Sequence, residues 1–417
     1  MGMTMTEKIL AAHAGRRSVA PCDIVECEVD WAVVHDIFFS VDGNFDYKRV
    51  RKLGFPEKSV ILFDHAVPAP TAKDAAGMVS ARSFAEKHGI RNLFDVGRHG
   101  VIHQLLAEEG FDRPGVLIAG GDSHTCAAGA FNCAARGLGP ADIVFIMCKG
   151  YNWYQVSPTL LYRFSGALPG RVMGKDLFLY IAGVYGDATN MNVEFGGDGL
   201  ASLPIHERQS IATMCAEINA EFAVFPYDEA LEADLAARGI QDYKPVAPDA
   251  DAAYARVCDI DLSEIEPYIA LPHSIPGNCV PLRERRGLPV QQALLGSCSN
   301  GRLEDIALAA EMIKGKKVAP GTRFVVTPAS QRIWLDALRA GYLETLVEAN
   351  AVVTNPSCGA CYGGHLGLLG PGERCLSTTT RNFKGRMGSA EAEVMLASPA
   401  SVTAAAITGV LTDPREI

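Results

Sequence analysis

The sequence is short of the features that mark several common classes of protein. No apolar run reaches the ~18–20 residues that a membrane-spanning helix needs, and residues 1–17 carry a helix pattern without the apolar core of a signal peptide. Acidic residues outnumber basic ones, 48 to 38, so the basic field of a nucleic-acid-binding protein is missing. No repeat, low-complexity tract, Walker motif or dinucleotide fingerprint occurs. We therefore expect a cytoplasmic protein that binds neither a membrane nor nucleic acid.

The composition favours a large globular protein. Hydrophobic residues make up 48% of the 417 residues and charged residues 21%, which is enough apolar surface for substantial cores. At ~100–200 residues per domain, the length suggests two to four domains. The 12 cysteines are spread along the chain rather than packed as in a disulfide scaffold, so most should be small buried hydrophobic residues. Only a few of them are expected to take part in chemistry.

Apolar strand-like runs alternate with amphipathic stretches, and glycine-rich turns separate them. The pattern predicts strands at residues 60–63, 115–118, 143–147, 293–295, 323–327 and 351–354, and helices at residues 71–88 and 303–313. The order of strand, turn and helix is typical of α/β proteins with mostly parallel sheets, in which ligands bind at loops beyond the carboxyl ends of the strands. We place three domains at residues 1–165, 166–284 and 285–417.

Three cysteines lie in glycine-rich turns. Cys358 and Cys361 form a Cys-x-x-Cys pair, and Cys298 lies in a Gly-Ser-Cys-Ser-Asn turn after a predicted strand. Three thiolates on tight loops suit an iron–sulfur cluster that leaves one iron free of protein sulfur. There are three alternatives: a zinc site with Cys358, Cys361 and His365, a redox dithiol, or a purely structural turn.

Histidines and carboxylates occur on several other predicted loops, and a basic loop follows near the carboxyl terminus. A histidine held by a carboxylate has its pKa raised, which suits it to protonate a leaving hydroxyl. The candidates for this role are Asp64, His65, His103, Asp122, His124 and Glu217. Arg381, Lys384 and Arg386 could bind a carboxylate or a phosphate, unless they form only a solvated basic loop.

Four motifs together resemble the aconitase superfamily, and most closely the large subunits of 3-isopropylmalate dehydratase and homoaconitase. They are Gly-Asp-Ser-His-Thr (121–125), Gly-Ser-Cys-Ser-Asn (296–300), Cys-Gly-Ala-Cys (358–361) and Arg-Asn-Phe-Lys-Gly-Arg (381–386). The resemblance extends over essentially the whole chain. It implies three-layer α/β/α domains, numbered 1 to 3 in this family, around an iron–sulfur cluster, without the swivelling fourth domain of a full aconitase.

The resemblance also implies roles for single residues. A [4Fe-4S] cluster would be held by Cys298, Cys358 and Cys361. The ion pairs would be Asp64 with His65, His103 with Asp122, and His124 with Glu217, with His65 protonating the departing hydroxyl. Substrate carboxylates would be held by Ser123, Arg381 and Arg386, and Asn300 would line the cluster pocket. A separate small subunit would supply the base that removes the carbon-bound proton, so this chain would be active only with that partner.

Several positions depart from the family pattern. Thr213 and Thr380 stand where asparagines usually surround the cluster, and Phe38, Arg98 and Lys149 replace smaller residues. The expected activity is that of a hydro-lyase acting on a small hydroxy-dicarboxylate, foremost 3-isopropylmalate in leucine biosynthesis. The alternatives are a hydratase or isomerase for homoaconitate, maleate or a methyl- or dimethylmalate, and a non-catalytic relative that binds a cluster or zinc.

Overall fold

The computed structural model describes residues 2–40 and 47–417. The strands are β1 (Ile24–Glu28), β2 (Trp31–His35), β3 (Ser59–Leu62), β4 (Asn92–Phe94), β5 (Leu117–Gly120), β6 (Ala134–Gly137), β7 (Tyr151–Gln155), β8 (Thr159–Ser165), β9 (Asn192–Gly196), β10 (Ala223–Val224), β11 (Arg256–Asp261), β12 (Tyr268–Ala270), β13 (Cys279–Pro281), β14 (Gln292–Leu295), β15 (Arg323–Val326), β16 (Val352–Val353), β17 (Arg374–Ser377) and β18 (Glu393–Leu396). The α-helices are α1 (Met5–His13), α2 (Ala72–His88), α3 (Ile102–Glu108), α4 (Pro140–Lys149), α5 (Gly174–Val184), α6 (Ile205–Met214), α7 (Glu229–Ala237), α8 (Leu303–Ile313), α9 (Gln331–Arg339), α10 (Tyr342–Glu348) and α11 (Pro399–Thr408).

The first sheet is parallel, with strand order β4-β3-β2-β5-β6. Every residue of β3 and β5 is buried, as expected for parallel strands covered on both faces. His35 at the end of β2 is opposite Leu62 at the end of β3. The loops that follow β2, β3 and β5 therefore leave the same edge of the sheet.

Two further sheets supply the rest of the framework. One is parallel, with order β10-β9-β8-β11, and the other has order β13-β12-β18-β17-β14-β15-β16. In the second of these, the strands from β18 to β16 are parallel, while β12 pairs antiparallel with both of its neighbours. The turns after β14, β16 and β17 consequently lie at one edge. β1 and β7 form a separate antiparallel pair.

Most of the predicted elements are present, and the α/β class with mostly parallel sheets is confirmed. The helix predicted at 71–88 is α2, where Thr71 caps the amino terminus by accepting a hydrogen bond from the Asp74 backbone and Gly89 ends the helix with φ 70°. The helix predicted at 303–313 has those bounds as α8. The strand predicted at 115–118 begins and ends two residues later, as β5.

The strand predicted at residues 143–147 is wrong, because this segment belongs to helix α4. The apolar run alone fits either a strand or a helix. Its ends are those of a helix, because Pro140 occupies the first turn and Gly150 ends the helix with φ 84°. Ile143, Ile146 and Met147 are the buried residues, with the spacing of one helical face.

The domain limits at residues 165 and 284 remain predictions. The sheets extend across both of them, because β8, which starts at Thr159, belongs to the four-stranded sheet, and β12 and β13 belong to the seven-stranded sheet. None of the helices in the described residues is long and apolar enough to cross a membrane.

Candidate active site

A narrow cleft lies where the strand-end loops of the first and the seven-stranded sheets meet. Most of the residues proposed from the sequence line it: Asp64, His65, His103, Asp122, Ser123, His124, Cys298, Cys358, Cys361, Arg381 and Arg386. Val101, Ser297, Tyr362 and Thr380 line it as well; of these four, only Thr380 was noted from the sequence, as a departure from the family pattern. Glu217 and Asn300 are buried and are not part of this lining.

Cys298 lies in an unusual turn after β14 that places it in the cleft lining. Gly296 and Ser297 have φ values of 154° and 81°, a conformation that costs a non-glycine residue free energy and is retained where neighbouring contacts enforce it. The Ser297 hydroxyl lies 3.6 Å from the sulfur of Cys298 and 3.6 Å from that of Cys361. One hydroxyl thus joins the two segments that carry these thiols.

The second thiol segment is tied to the first sheet. The Cys358 amide donates a hydrogen bond of 2.8 Å to the Asp64 carbonyl, and a short 3₁₀ turn at Gly359–Tyr362 then presents Cys361. The Cys358 sulfur is 3.8 Å from Asp64 Oδ2. Burial and the Asp64 charge raise the pKa of Cys358 well above its usual value.

The three thiols are a donor set of soft ligands. Burial would raise the pKa of Cys298, but the imidazolium of His124 outweighs it and lowers that pKa to about 6. Among the described residues that line the cleft there is no fourth cysteine. This set fits an iron–sulfur cubane with one iron free of protein sulfur. His365, the third ligand of the alternative zinc site, is not part of the lining; its Nε2 is 3.3 Å from the Pro68 carbonyl.

Asp64 and His65 form the pair expected from the sequence, through a hydrogen bond from His65 Nδ1 to the Asp64 carboxylate. Burial disfavours a charge on His65, but Asp64, Asp36 and Asp122 outweigh this effect and raise the pKa of His65 to about 10. Its Nε2 is 3.7 Å from Asp122 Oδ2 and borders the cleft. The imidazole is therefore a cation at neutral pH, with a proton available at the cleft.

Asp36 positions this pair, and sequence reasoning missed its role. Its carboxylate accepts hydrogen bonds from the backbone amides of Asp64, His65 and Ala66, at 3.3, 3.2 and 2.6 Å. The ring of His35 stacks on that of His65, with centroids 4.4 Å apart. A usable signal was present, because His35 and Asp36 stand at the end of a buried strand, as Asp64 and His65 do.

A chain of opposite charges crosses the cleft. His103 Nε2 is 3.0 Å from Asp122 Oδ1, which also accepts a 2.7 Å hydrogen bond from the His124 backbone. His124 Nε2 is 2.7 Å from Glu217 Oε1, and Arg381 Nε donates to the same oxygen at 2.8 Å. Both remaining expected pairs are thus formed, and Glu217 links a histidine to an arginine of the basic loop.

The charge chain shifts the pKa of His124 upward and the pKa values of Asp122 and Glu217 downward. Burial disfavours the charged form of each, but the neighbours dominate: Cys298, Asp122 and Glu217 hold the pKa of His124 well above its usual value. The histidines lower the pKa of Asp122 well below its usual range, and His124 with Arg381 lowers that of Glu217. The cleft is thus built to keep these groups charged.

The expected substrate-binding residues divide into two groups. Ser123 is exposed and lines the cleft, as do Arg381 and Arg386, and Arg386 is oriented by a 2.7 Å hydrogen bond from its Nε to the Cys361 carbonyl. Lys384 is exposed and lies outside the lining. Asn300 is buried, and its amide donates to Ser210 and Asp305 behind the Cys298 turn. Two arginines, rather than three basic residues, therefore line the cleft.

The positions that depart from the family pattern are placed differently from one another. Thr380 borders the cleft, whereas the Thr213 hydroxyl donates to the Gln209 carbonyl of its own helix at 2.6 Å. The buried Phe38 ring packs against Gly121, with no room for a Cβ between them. Arg98 and Lys149 are exposed, outside the lining. Of these substitutions, only Thr380 directly changes the cleft surface.

The cleft of this α/β protein brings together three thiols, three histidine–carboxylate pairs and two arginines, a combination typical of enzymes that use a metal or a cluster on an anionic ligand. The chain belongs to the aconitase family (aconitate hydratase), whose model matches residues 48–287 and 283–409.

Curated relatives match the chain over its full length. It is 51% identical to the 3-isopropylmalate dehydratase large subunit of Mycolicibacterium smegmatis, over 100% of this chain and 98% of that protein. It is 42% identical to the protein of the same name from Moorella thermoacetica, over 100% of both. The holo-form crystal structure of Thermococcus kodakaraensis aconitase X has a similar fold, with a TM-score of 0.53 at 12% identity, covering 94% of this chain and 97% of that one.

Proposed function

We propose that the chain is the catalytic large subunit of a hydro-lyase that removes and adds water on a small hydroxy-dicarboxylate, with 3-isopropylmalate as the substrate. The observation that carries the proposal is 51% identity over the whole chain to a 3-isopropylmalate dehydratase large subunit, combined with the cleft of three thiols and two arginines. Arg98 and Lys149, two of the three substitutions that raised other substrates, are exposed and do not line the cleft, which supports this choice of substrate.

Cys298, Cys358 and Cys361 would hold a [4Fe-4S] cluster. The soft thiol donors and the absence of a fourth cysteine from the described lining support this assignment. When bound, such a cluster supplies a Lewis acid that draws electron density from a substrate hydroxyl.

The residues of the chain would bind the substrate and supply a proton. Arg381 and Arg386 present guanidinium groups that match a carboxylate, and Arg381 is held by Glu217 while Arg386 is held by the Cys361 carbonyl. Ser123 offers a hydroxyl beside them. His65, charged and oriented by Asp64, would protonate the departing hydroxyl as a general acid.

A second chain would complete the reaction. Dehydration also requires a base for the carbon-bound proton, yet Asp64, Asp122 and Glu217 are each committed to a histidine in the described cleft. The relatives are named as large subunits, which supports a small-subunit partner that carries the base. The isolated chain should therefore be inactive, or nearly so.

The test uses the full chain purified without oxygen. Iron and acid-labile sulfide are measured first, and the protein is then combined with a small-subunit chain from the same organism and assayed against 3-isopropylmalate, homoaconitate, maleate and dimethylmalate. We expect stoichiometric iron and sulfide, and turnover of 3-isopropylmalate only in the combined preparation. Zinc without sulfide would overturn the assignment of an iron–sulfur cluster. Turnover of another dicarboxylate, without turnover of 3-isopropylmalate, would overturn the assignment of the substrate.

A further inference from the structure

A lysine is buried behind the cleft. Lys175 lies in the first turn of α5 and has no exposed surface. Its ammonium donates to the Thr379 carbonyl at 2.9 Å, the Ser299 hydroxyl at 3.0 Å and the Thr378 carbonyl at 3.1 Å, and it lies 3.1 Å from the sulfur of Met214. These partners come from three separate parts of the chain, which the ammonium joins.

The charge of Lys175 is not balanced locally by an ion pair. No carboxylate of the described residues lies within ion-pair distance of it, whereas the buried Arg208 is paired with Asp228 at 2.6 Å. A buried charge without a partner is costly, and the first turn of a helix is the end that disfavours a cation. Burial accordingly lowers the pKa of Lys175 to about 8. Hydrogen bonds to carbonyls satisfy its protons but do not cancel its charge.

The partners of Lys175 adjoin the thiol segments. Ser299 directly follows Cys298, and Thr379 precedes Thr380, whose hydroxyl is 3.9 Å from the Cys361 sulfur. Ser299 also donates to the Thr378 carbonyl at 2.7 Å, so the two segments already touch where the ammonium joins them. Lys175 itself does not line the cleft. Its positive charge thus lies outside the cleft lining, next to the segments that carry Cys298 and Thr380.

We propose that Lys175 is a positioning residue for the cluster site: its ammonium fixes the Cys298 turn against the 378–381 loop, and its charge compensates the net negative charge of three thiolates and the cluster they hold. This inference rests on the proposed function, because the compensation requires a cluster. A nearby positive charge stabilises the more negative, reduced state of a cluster and so raises its reduction potential. The ammonium therefore sets both the geometry and the potential of the site.

The experiment compares Lys175→Met and Lys175→Gln, which remove the charge, with Lys175→Arg, which retains it. Arg208→Met is the matched control, because Arg208 is an equally buried cation that bonds Asp228 and the carbonyls of Leu200 and Leu203. For each full-length protein, iron and sulfide content, the cluster reduction potential from a mediated titration followed by electron paramagnetic resonance, and the thermal midpoint of the apoprotein are measured.

We expect the neutral variants to shift the reduction potential to more negative values and to lose part of their iron and sulfide, and Lys175→Arg to return the potential toward that of the wild type. Arg208→Met should lower the thermal midpoint and leave the potential unchanged. A wild-type potential in the neutral variants overturns the inference, and so does failure of both neutral variants to fold while Arg208→Met folds, since Lys175 would then be only structural. A wild-type protein without iron and sulfide instead overturns the proposed function.

Discussion

The Thr380 hydroxyl lies 3.9 Å from the Cys361 sulfur, at a position where the resemblance noted from the sequence leads us to expect asparagine. A hydroxyl thus lies beside one of the proposed cluster ligands instead of the expected amide. The other such substitution, Thr213, turns its hydroxyl into its own helix and makes no contribution to the cleft surface. Thr213 is therefore a suitable control for testing what the Thr380 hydroxyl contributes beside the Cys361 thiol.

Thr380→Val should keep the cluster and lower turnover of the complete enzyme about three- to tenfold, because one hydrogen bond to a sulfur or to substrate contributes about 1 kcal/mol. Thr213→Val should leave turnover within twofold of the wild type. Iron and sulfide content and kcat of the reconstituted pair are the measurements. Equal losses in the two variants would contradict a specific role for the Thr380 hydroxyl.

His65→Ala should retain the cluster and reduce kcat by about 10²–10⁴-fold, the usual contribution of a general acid. The control is His13→Ala, because His13 is also paired with an aspartate, Asp30 at 2.8 Å, outside the cleft. That variant should keep near-normal kcat. Unchanged kcat in His65→Ala would remove this histidine from the reaction.

Cys358→Ser should lose most of its iron and acid-labile sulfide, because a hydroxyl is a poor replacement for a thiolate ligand of iron. Cys375→Ser is the control, since Cys375 is a buried cysteine of β17 that does not line the cleft. It should bind iron and sulfide as the wild type does. A normal visible spectrum in Cys358→Ser would show that this thiol is not a ligand.

The framework of this site could be predicted from the sequence, because buried parallel strands are near-continuous apolar runs and the motifs follow them directly. Two kinds of feature could not be predicted from the sequence. The segment 143–147 is apolar enough for either structure, and only Pro140 and Gly150 at its ends distinguish the helix from a strand. Contacts between distant segments, such as those of Lys175 with Ser299 and Thr379, have no local pattern and arise only from the packing of helix α5 against the loops after β14 and β17.

Asp112 is a buried carboxyl group that does not line the cleft, and it allows the energetic cost of burying a charge to be tested. It is fully buried, and neither of its carboxylate oxygens has a hydrogen-bond partner among the described residues. Burial raises its pKa to about 7, against weaker opposing effects of His103 and Arg238. Because the folded-state pKa is above the ordinary value, the unfolded chain releases this proton first. The cost of burying Asp112 therefore grows as the pH rises from about 4 to about 7 and is constant above that range.

Asp112→Asn should accordingly stabilise the protein more at pH 8 than at pH 5, by about 1–3 kcal/mol, because each pH unit between the unfolded and folded pKa values contributes about 1.4 kcal/mol. Urea unfolding at several pH values measures it. Asp259→Asn is the control, because the pKa of Asp259 is lowered by its surface pair with Arg163 and the carboxylate is ionised in both states across this window. Its effect should not vary with pH between 5 and 8. A pH-independent effect of Asp112→Asn would mean that the buried carboxyl does not titrate in this range.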